Sequence, residues 1–218
     1  MSTSDRNTAV RRASTLPFRL HAAVTCPPPA TLAASMAWEL GDLDAERVER
    51  AYDALLASTQ IDVERDAEGQ LRALGEAPLR ATGGGTADAL LLHRALEHGH
   101  GHPILVATVL AELGRRAGLP VGIVAGAAGH FVAHQRLTEA LVLDPCTGEL
   151  TDAGPLGVLE WRCGHQVAAE LLDELQPRYE RVGDLTRALH VARMRTTLPF
   201  EDTSGAELRL RSLAAKLN

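Results

Sequence analysis

The first part of the chain repeats apolar residues at helical spacing. Between residues 31 and 58 an apolar side chain returns every three or four positions, which is the period of a helix with one buried face. Gly41 and Asp42 interrupt this pattern, and either Asp42 or Asp44 is suited to cap the helix that follows. The pattern therefore predicts two helices. Residues 61–85 fit either a hairpin or a ragged helix end.

The most apolar segment of the chain begins at Pro103. Proline suits the first turn of a helix, and the apolar residues between 104 and 113 nearly encircle the helix axis. This pattern predicts a buried central helix that ends at residues 118–120. Short runs rich in valine, leucine and isoleucine follow, and such runs are typical of strands. They cover residues 121–125, 130–135 and 140–143.

Together these elements predict an α+β fold. A small antiparallel sheet and a central buried helix form its core, with further helices on the N-terminal and C-terminal sides. We expect residues 1–29 to be a loose arm, because three consecutive prolines at 27–29 stop any helix. Residues 30–160 are then the main domain, and residues 161–218 are a helical tail packed on it.

The composition narrows the class of protein. Apolar residues make up 45% of the 218 residues and charged residues 23%, which excludes wholesale disorder. Aromatic residues are only 3% and the net charge is −6, so the chain lacks the stacking faces and clustered cations of a nucleic-acid-binding protein. No apolar run reaches the length of a membrane span, and no signal peptide is evident. We expect no nucleic-acid partner and no membrane partner.

The three cysteines stand far apart, at Cys26, Cys146 and Cys163. An odd number without a Cys-x-x-Cys pair argues against a disulfide framework. The sequence therefore predicts a cytoplasmic protein. It says nothing about the oligomeric state.

A histidine and an aspartate lie on neighbouring predicted strands. If the hairpin turns symmetrically about Leu137, His130 stands directly opposite Asp144 on the same face, with Cβ atoms roughly 4.5–5.5 Å apart. A carboxylate at that distance can hold one imidazole nitrogen and fix its tautomer. A slip of one residue puts the two side chains on opposite faces, so the pairing depends on the register.

The start of the predicted central helix is a second candidate feature. A helix N-terminus carries unpaired N–H groups and a positive potential, which favour a thiolate or an anion. A helix N-terminus followed by a strand histidine and a strand aspartate is the layout of papain-like and transglutaminase-like active sites.

Four motifs in this region resemble the SirB-type bacterial branch of the transglutaminase-like superfamily. They are residues 95–105, residues 113–120, Gly129-His130-Phe131 and Leu143-Asp144-Pro145. The resemblance implies a papain-like core within residues 30–160, with a cleft that contains His102, Pro103, Gly129 and Phe131. It also implies a tetratricopeptide-like character for the tail at residues 171–199.

The sequence departs from the catalytic members of this superfamily at the nucleophile. Those enzymes place a cysteine at the start of the central helix, whereas this chain has His102, Pro103 and Ile104 there. Without a nucleophile, His130 and Asp144 have nothing to activate. The SirB-type branch commonly lacks this cysteine. The resemblance therefore implies a pseudoenzyme, a binding or regulatory module for a protein partner or a peptide-like small molecule.

One alternative is an enzyme with a relocated thiol. Cys146 is the first candidate nucleophile and Cys163 the second, with His130 as general base and Asp144 as the carboxylate that orients it. The protein would then be a cysteine-dependent amide hydrolase or acyltransferase.

A further alternative is a metalloprotein. His98, His100 and His102 alternate with glycines, and a flexible loop of this kind can surround Zn²⁺ or Ni²⁺. Apart from such an ion, the sequence predicts no cofactor. The mixed charges of residues 160–195 indicate a solvated helical face, with contact to an acidic partner through arginines such as Arg178 as the alternative.

Overall fold

The computed structural model describes residues 17–41, 43–83, 85–200 and 204–217. Its helices are α1 (Phe18–Ala22), α2 (Pro29–Glu39), α3 (Ala45–Thr59), α4 (Ala67–Gly75), α5 (Leu92–His98), α6 (Pro103–Arg116), α7 (Gly164–Arg181), α8 (Leu185–Thr196) and α9 (Ser204–Leu217). Its strands are β1 (Arg80–Ala81), β2 (His100–Gly101), β3 (Val121–Gly126), β4 (Gly129–His134), β5 (Leu141–Leu143), β6 (Leu150–Asp152) and β7 (Glu160–Trp161). The predicted α+β class is confirmed.

Strands β3 to β7 form one antiparallel sheet with the strand order β6-β5-β4-β3-β7. Strands β3 and β4 are a hairpin in which Gly126 pairs with Gly129. Gly129 has φ +124, a backbone conformation that other residues rarely adopt. The short strands β1 and β2 pair separately and in parallel.

Helix α6 is the centre of the core. All of its residues from Ile104 to Gly114 are buried, as the apolar pattern predicts. Gly114 allows the helix to approach β3, since a Cβ atom there would lie 2.3 Å from Val121 Cγ2. The same hydrophobic cluster includes side chains of α2, α7 and α8, so the C-terminal helices share the core with the sheet.

The two faces of the sheet have different surroundings because side chains alternate along each strand. Ile123, Val132 and Leu143 belong to the main core on the helical side. The opposite face carries a smaller apolar cluster of Val124, Phe131, Ala133 and Val142, with partly buried side chains from residues 153–159 packed against it.

The predicted break in the N-terminal helical pattern is confirmed. Helix α2 ends at Glu39 and α3 begins at Ala45. Of the two candidate caps, Asp44 is the one found, because its carboxylate accepts the backbone N–H groups of Glu46 (3.0 Å) and Arg47 (3.2 Å). Asp42 lies outside the described residues.

Residues 61–85 contain a helix rather than a hairpin. Asp66 caps α4 by accepting a hydrogen bond from the Gly69 N–H at 2.8 Å. The buried side chains of Leu71 and Leu74 then face the core. Burial of this apolar face decides between the two alternatives that the local sequence leaves open.

The prediction of a loose arm is wrong for the described part of residues 1–29. Residues 18–22 form α1, and Phe18 is completely buried in the main core. The carbonyl of Ala22 also contacts His165 Nε2 at 2.9 Å. Helix α1 already ends at Ala22, before the prolines at 27–29, and these prolines lead directly into α2. Residues 1–16 lie outside the described residues.

Within the described residues, no helix is both long enough and apolar enough to cross a membrane.

Candidate functional site

A cluster of polar side chains lies at the N-terminal end of α6. His102 is the N-cap residue and Pro103 is the first residue of the helix. The backbone fixes this corner, because the His102 N–H donates to the Ala89 carbonyl at 2.7 Å. The His102 carbonyl accepts the N–H groups of Leu105 (2.9 Å) and Val106 (3.0 Å), so both of these donors are already used.

His130 belongs to this cluster and is held by a carboxylate of α7. Its Nε2 atom forms a short contact with Glu170 Oε2. The other oxygen of Glu170 lies 3.2 Å from Arg162 Nε, and Arg162 Nη1 donates to Glu160 at 2.8 Å.

Strand pairing explains how this chain of charges forms. Ala125 pairs with His130 on one side and with Glu160 on the other. Paired residues of neighbouring strands point to the same face of a sheet, so Glu160 and His130 stand on the face that α7 covers. Glu170 and Arg162 bridge the space between them.

His102 has a nitrogen without a partner. Its Nδ1 atom is buried and makes no hydrogen bond within the described residues. Burial lowers the pKa of His102, and the charges of Arg178 and His130 lower this pKa further, whereas Glu174 raises it. His102 is therefore neutral near pH 7, and it lies within electrostatic reach of all three side chains.

Arg178 and Glu174 complete the cluster from the next turns of α7. Arg178 Nη1 donates to the Glu174 carbonyl at 2.6 Å and also pairs with the Glu174 carboxylate. That hydrogen bond lowers the pKa of Glu174, which keeps the carboxylate charged. The Arg178 side chain is only 12% exposed. Its Nε atom is buried and has no hydrogen bond within the described residues.

The predicted pairing of His130 with Asp144 is wrong. Val132 pairs with Leu143, so the register is one residue away from the symmetric turn about Leu137. Asp144 therefore points to the other face from His130. Its carboxylate accepts the Cys146 N–H at 2.7 Å and stabilises the turn that leads to β6.

The two candidate thiols are also not part of the cluster's hydrogen bonds. Cys146 is exposed in the turn after β5. Partial burial and the Asp144 carboxylate raise the pKa of its thiol, which is the opposite of activation. Cys163 is the exposed N-cap residue of α7, and its N–H donates to Gln166 at 2.9 Å.

The predicted cleft residues are divided by the sheet. His102, Pro103 and Gly129 lie at the ends of α6 and β4. Phe131 is the neighbour of His130 along β4, so it points to the opposite face, and it is buried there with Val124 and Val142. Phe131 is therefore not part of the cleft.

The three histidines of the predicted metal loop do not come together. The rings of His98 and His100 are stacked with centroids 5.8 Å apart, whereas His102 faces Arg178, Glu174 and His130. Over the described part of the chain, no three His, Cys, Asp or Glu side chains are placed to hold one metal ion.

Sequence reasoning missed the contribution of α7. Glu170, Glu174 and Arg178 follow one another at intervals of four residues, which puts them on one face of a helix. We expected a solvated face here. A polar stripe at this spacing, next to the buried positions Leu171 and Leu175, is the signal that could have indicated a helix covering a polar cleft.

The fold and this cluster define the class of protein. A buried helix packed on an antiparallel sheet, with a strand histidine beside the helix N-terminus, is the arrangement that the sequence resemblance implies. A family model described as "Transglutaminase-like superfamily" matches residues 47–180, which is more than half of the chain. The chain therefore belongs to the transglutaminase-like superfamily. Searches of curated proteins and of solved structures each gave no match to it.

Proposed function

We propose that this protein is a non-catalytic member of the superfamily that binds a peptide segment of a partner protein. The observation that carries the proposal is the start of α6. His102 and Pro103 occupy it, so the position beside His130 has neither a thiol nor a hydroxyl group. Nucleophilic catalysis requires such a group within hydrogen-bond reach of its base.

The backbone at the same position supports the proposal. Acyl transfer relies on N–H donors that stabilise the oxyanion of the tetrahedral intermediate. Pro103 has no N–H group, and the N–H groups of Leu105 and Val106 are bonded to the His102 carbonyl. Of the first four residues of α6, this leaves one N–H group, that of Ile104, for an oxyanion.

The cluster is better suited to binding than to proton transfer. Its buried nitrogens without hydrogen-bond partners, His102 Nδ1 and Arg178 Nε, suit acceptor groups of a ligand. The Glu174 carboxylate is about half exposed and suits a donor. A peptide main chain presents both kinds of group. The SirB-type branch, a bacterial source and a cytoplasmic location belong to the same proposal, on the sequence motifs and the separated cysteines.

Thiol labelling tests the absence of catalysis. We expect none of the three cysteines to react quickly with iodoacetamide at a pH well below the reference thiol pKa of about 8.5, measured for each cysteine by mass spectrometry over a pH series. We also expect the same rates in His130→Ala. A thiol that reacts quickly at lower pH, and only when His130 is intact, would overturn the proposal in favour of the enzyme with Cys146 or Cys163 as nucleophile.

Peptide selection tests the binding role. A displayed random peptide library is selected on the wild-type protein, and the enriched peptides are measured against Arg178→Ala and His102→Ala. Loss of a charge-assisted hydrogen bond costs about 1.5–3 kcal/mol, so we expect at least a tenfold weaker affinity for Arg178→Ala. The matched control is Arg211→Ala, whose side chain is 78% exposed on α9. Equal affinity for Arg178→Ala and the control would contradict the proposal, provided that circular dichroism shows both variants folded.

A further inference from the structure

Two exposed cysteines, Cys26 and Cys163, line one cavity on the side of α6 away from its N-terminus. The cavity has a volume of about 240 Å³. Residues 26–30 form one wall, and residues 162–164 form another. The third cysteine, Cys146, lies in the turn after β5 and is not part of this lining.

The backbones next to these two cysteines touch. A Cβ atom on Gly164 would lie 2.0 Å from the Pro27 carbonyl oxygen, so only glycine fits there. Pro27 directly follows Cys26, and Gly164 directly follows Cys163. The contact between His165 Nε2 and the Ala22 carbonyl, at 2.9 Å, joins the same two segments a second time.

The helices that follow these segments run side by side in the same direction. Helices α2 and α7 begin at the Pro27–Gly164 contact. At the other end of α2, Glu39 bonds to His190 at 2.8 Å, and His190 lies on α8, which folds back along α7 from the turn at Gly183. Cys163 is the N-cap residue of α7, and Cys26 lies two residues before the N-cap residue of α2, so both cysteines stand at the shared starting end.

Cys26 has an unusual backbone conformation. Its φ angle is +52, in the left-handed region that a residue with a side chain adopts at a cost of about 1–2 kcal/mol. The surrounding structure holds it there, because Pro27 after it is buried. A strained residue that persists beside a second reactive group is a reason to look for a function at that residue.

We propose that Cys26 and Cys163 form a reversible disulfide by exchange with a low-molecular-weight disulfide such as oxidised glutathione. The thiolate of one cysteine attacks a sulfur of the small disulfide, which gives a mixed disulfide and releases one small thiolate. The thiolate of the other cysteine then attacks the protein sulfur of the mixed disulfide and releases the second small thiolate. The protein pair loses two electrons and two protons, and the small disulfide is reduced to two thiols.

The crosslink ties the segment before α2 to the start of α7. A disulfide requires Cα atoms within about 7 Å, and direct contact between the following residues is compatible with that separation. Arg162, which pairs with Glu170, precedes Cys163. Oxidation therefore fixes the segment that supports the His130–Glu170 contact.

Oxidation of the full-length protein tests this proposal. The reduced protein is incubated with oxidised glutathione, quenched with acid and alkylated in denaturant without reductant. We expect a Cys26–Cys163 crosslink in the peptide map, which lowers the mass of that pair by two hydrogen atoms, with Cys146 outside the crosslink as its alkylated form or its glutathione adduct. Cys146→Ser is the matched control and should give the same crosslink.

The single variants make the result decisive. Cys26→Ser and Cys163→Ser should each accumulate the glutathione adduct on the remaining cysteine of the pair, because nothing resolves it. In denaturant the preference for the Cys26–Cys163 pair should disappear. Stable glutathione adducts on both cysteines of the wild-type protein, or crosslinks that involve Cys146 equally often, would overturn the proposal.

Discussion

The two ends of helix α6 are built in opposite ways. At the C-terminal end, Arg116 binds Glu49 through two hydrogen bonds of 2.8 and 3.0 Å and binds Glu112 at 2.8 Å. Both carboxylates are buried, and the guanidinium stacks over the Tyr52 ring at 4.1 Å. The uncharged Tyr52 hydroxyl at this end is buried without a hydrogen-bond partner within the described residues, but every charge is paired. At the N-terminal end, His102 Nδ1 and Nε of the charged Arg178 are buried without hydrogen-bond partners within the same residues.

This difference separates stability from function. Buried charges that are fully paired are costly to separate, and they have no capacity left for a ligand. Buried polar atoms without partners cost stability and need an explanation, such as a water molecule or a ligand. The C-terminal end of α6 therefore has the character of a structural clamp, and the N-terminal end is where we propose a binding site.

The largest effect is expected from Arg116→Met, which breaks the clamp. The change leaves Glu49 unpaired and Glu112 with one partner fewer, and both are only 6% exposed. Removing one partner of a buried ion pair costs about 3–5 kcal/mol. We expect a loss of that size in the free energy of unfolding, measured by urea denaturation.

Arg115→Ala is the control for that experiment. Arg115 also binds Glu112, but its side chain is 53% exposed, and exposed ion pairs contribute about 0–1 kcal/mol. If the two arginine variants lose equal stability, the clamp is not what distinguishes this end of the helix.

A smaller effect is expected at the other end, from His130→Ala. His130 is 20% exposed and Glu170 is 35% exposed, so water can replace the lost contact. Glu170 also keeps its ion pair with Arg162. We expect the free energy of unfolding to fall by about 1 kcal/mol or less, while the affinity for selected peptides falls more. A stability loss as large as that of Arg116→Met would make His130 a structural residue.

The histidine at each end of strand β4 differs in the same way, since His134 is buried and His130 is partly exposed. The buried histidine leads us to expect a pH dependence of stability. His134 is the last residue of β4 and is buried. Its Nε2 is bonded to Gln70 at 2.9 Å, and its Nδ1 accepts the Arg136 N–H at 3.1 Å. Burial lowers its pKa from the usual 6.5. The folded state therefore binds fewer protons than the unfolded state just below pH 6.5, and stability falls as the pH decreases from there towards the lower pKa of the folded state.

His134→Gln tests this by urea denaturation at a series of pH values. The variant should lose part of the decrease in stability below pH 6.5. His102→Gln should remove a further part, since burial lowers the pKa of His102 in the same direction. An unchanged pH dependence in the double variant would show that neither ring is the source.

The sequence predicts those parts of the fold that depend on local patterns. Helix α6 and the short valine-rich strands are examples. The spacing of apolar residues in the sequence predicts both, because it shows which positions are buried. The spacing of apolar residues does not predict the register of β4 and β5. The pairing of Val132 with Leu143 depends on hydrogen bonds within the connection, such as that from the Leu137 N–H to the His134 carbonyl. A shift of one residue is enough to lose a site residue.

The true partner of His130 is harder to predict. Glu170 is 40 residues away along the chain, and only tertiary packing brings it over the sheet. Its four-residue spacing with Glu174 and Arg178 is visible in the sequence, but an ordinary solvated face has the same spacing. The absence of a cysteine or a hydroxyl side chain at residues 102 and 103, in contrast, can be seen directly in the sequence.

The smallest effect is expected at the turn that contains Asp144. The direction of the change in the reaction rate of Cys146 distinguishes a catalytic role of Asp144 from a structural one. If Asp144 served a catalytic thiol through a histidine, Asp144→Asn would slow the reaction of that thiol. In the structure the Asp144 charge raises the pKa of Cys146, and asparagine keeps the oxygen that accepts the Cys146 N–H. Asp144→Asn should therefore make Cys146 react with iodoacetamide a few times faster near pH 7.5, because more of it is thiolate. Glu149→Gln removes a charge from the same turn and is the control, with no change expected. A slower reaction in Asp144→Asn would indicate a catalytic role for Asp144. It would then contradict the non-catalytic role that we propose for the N-terminal end of α6.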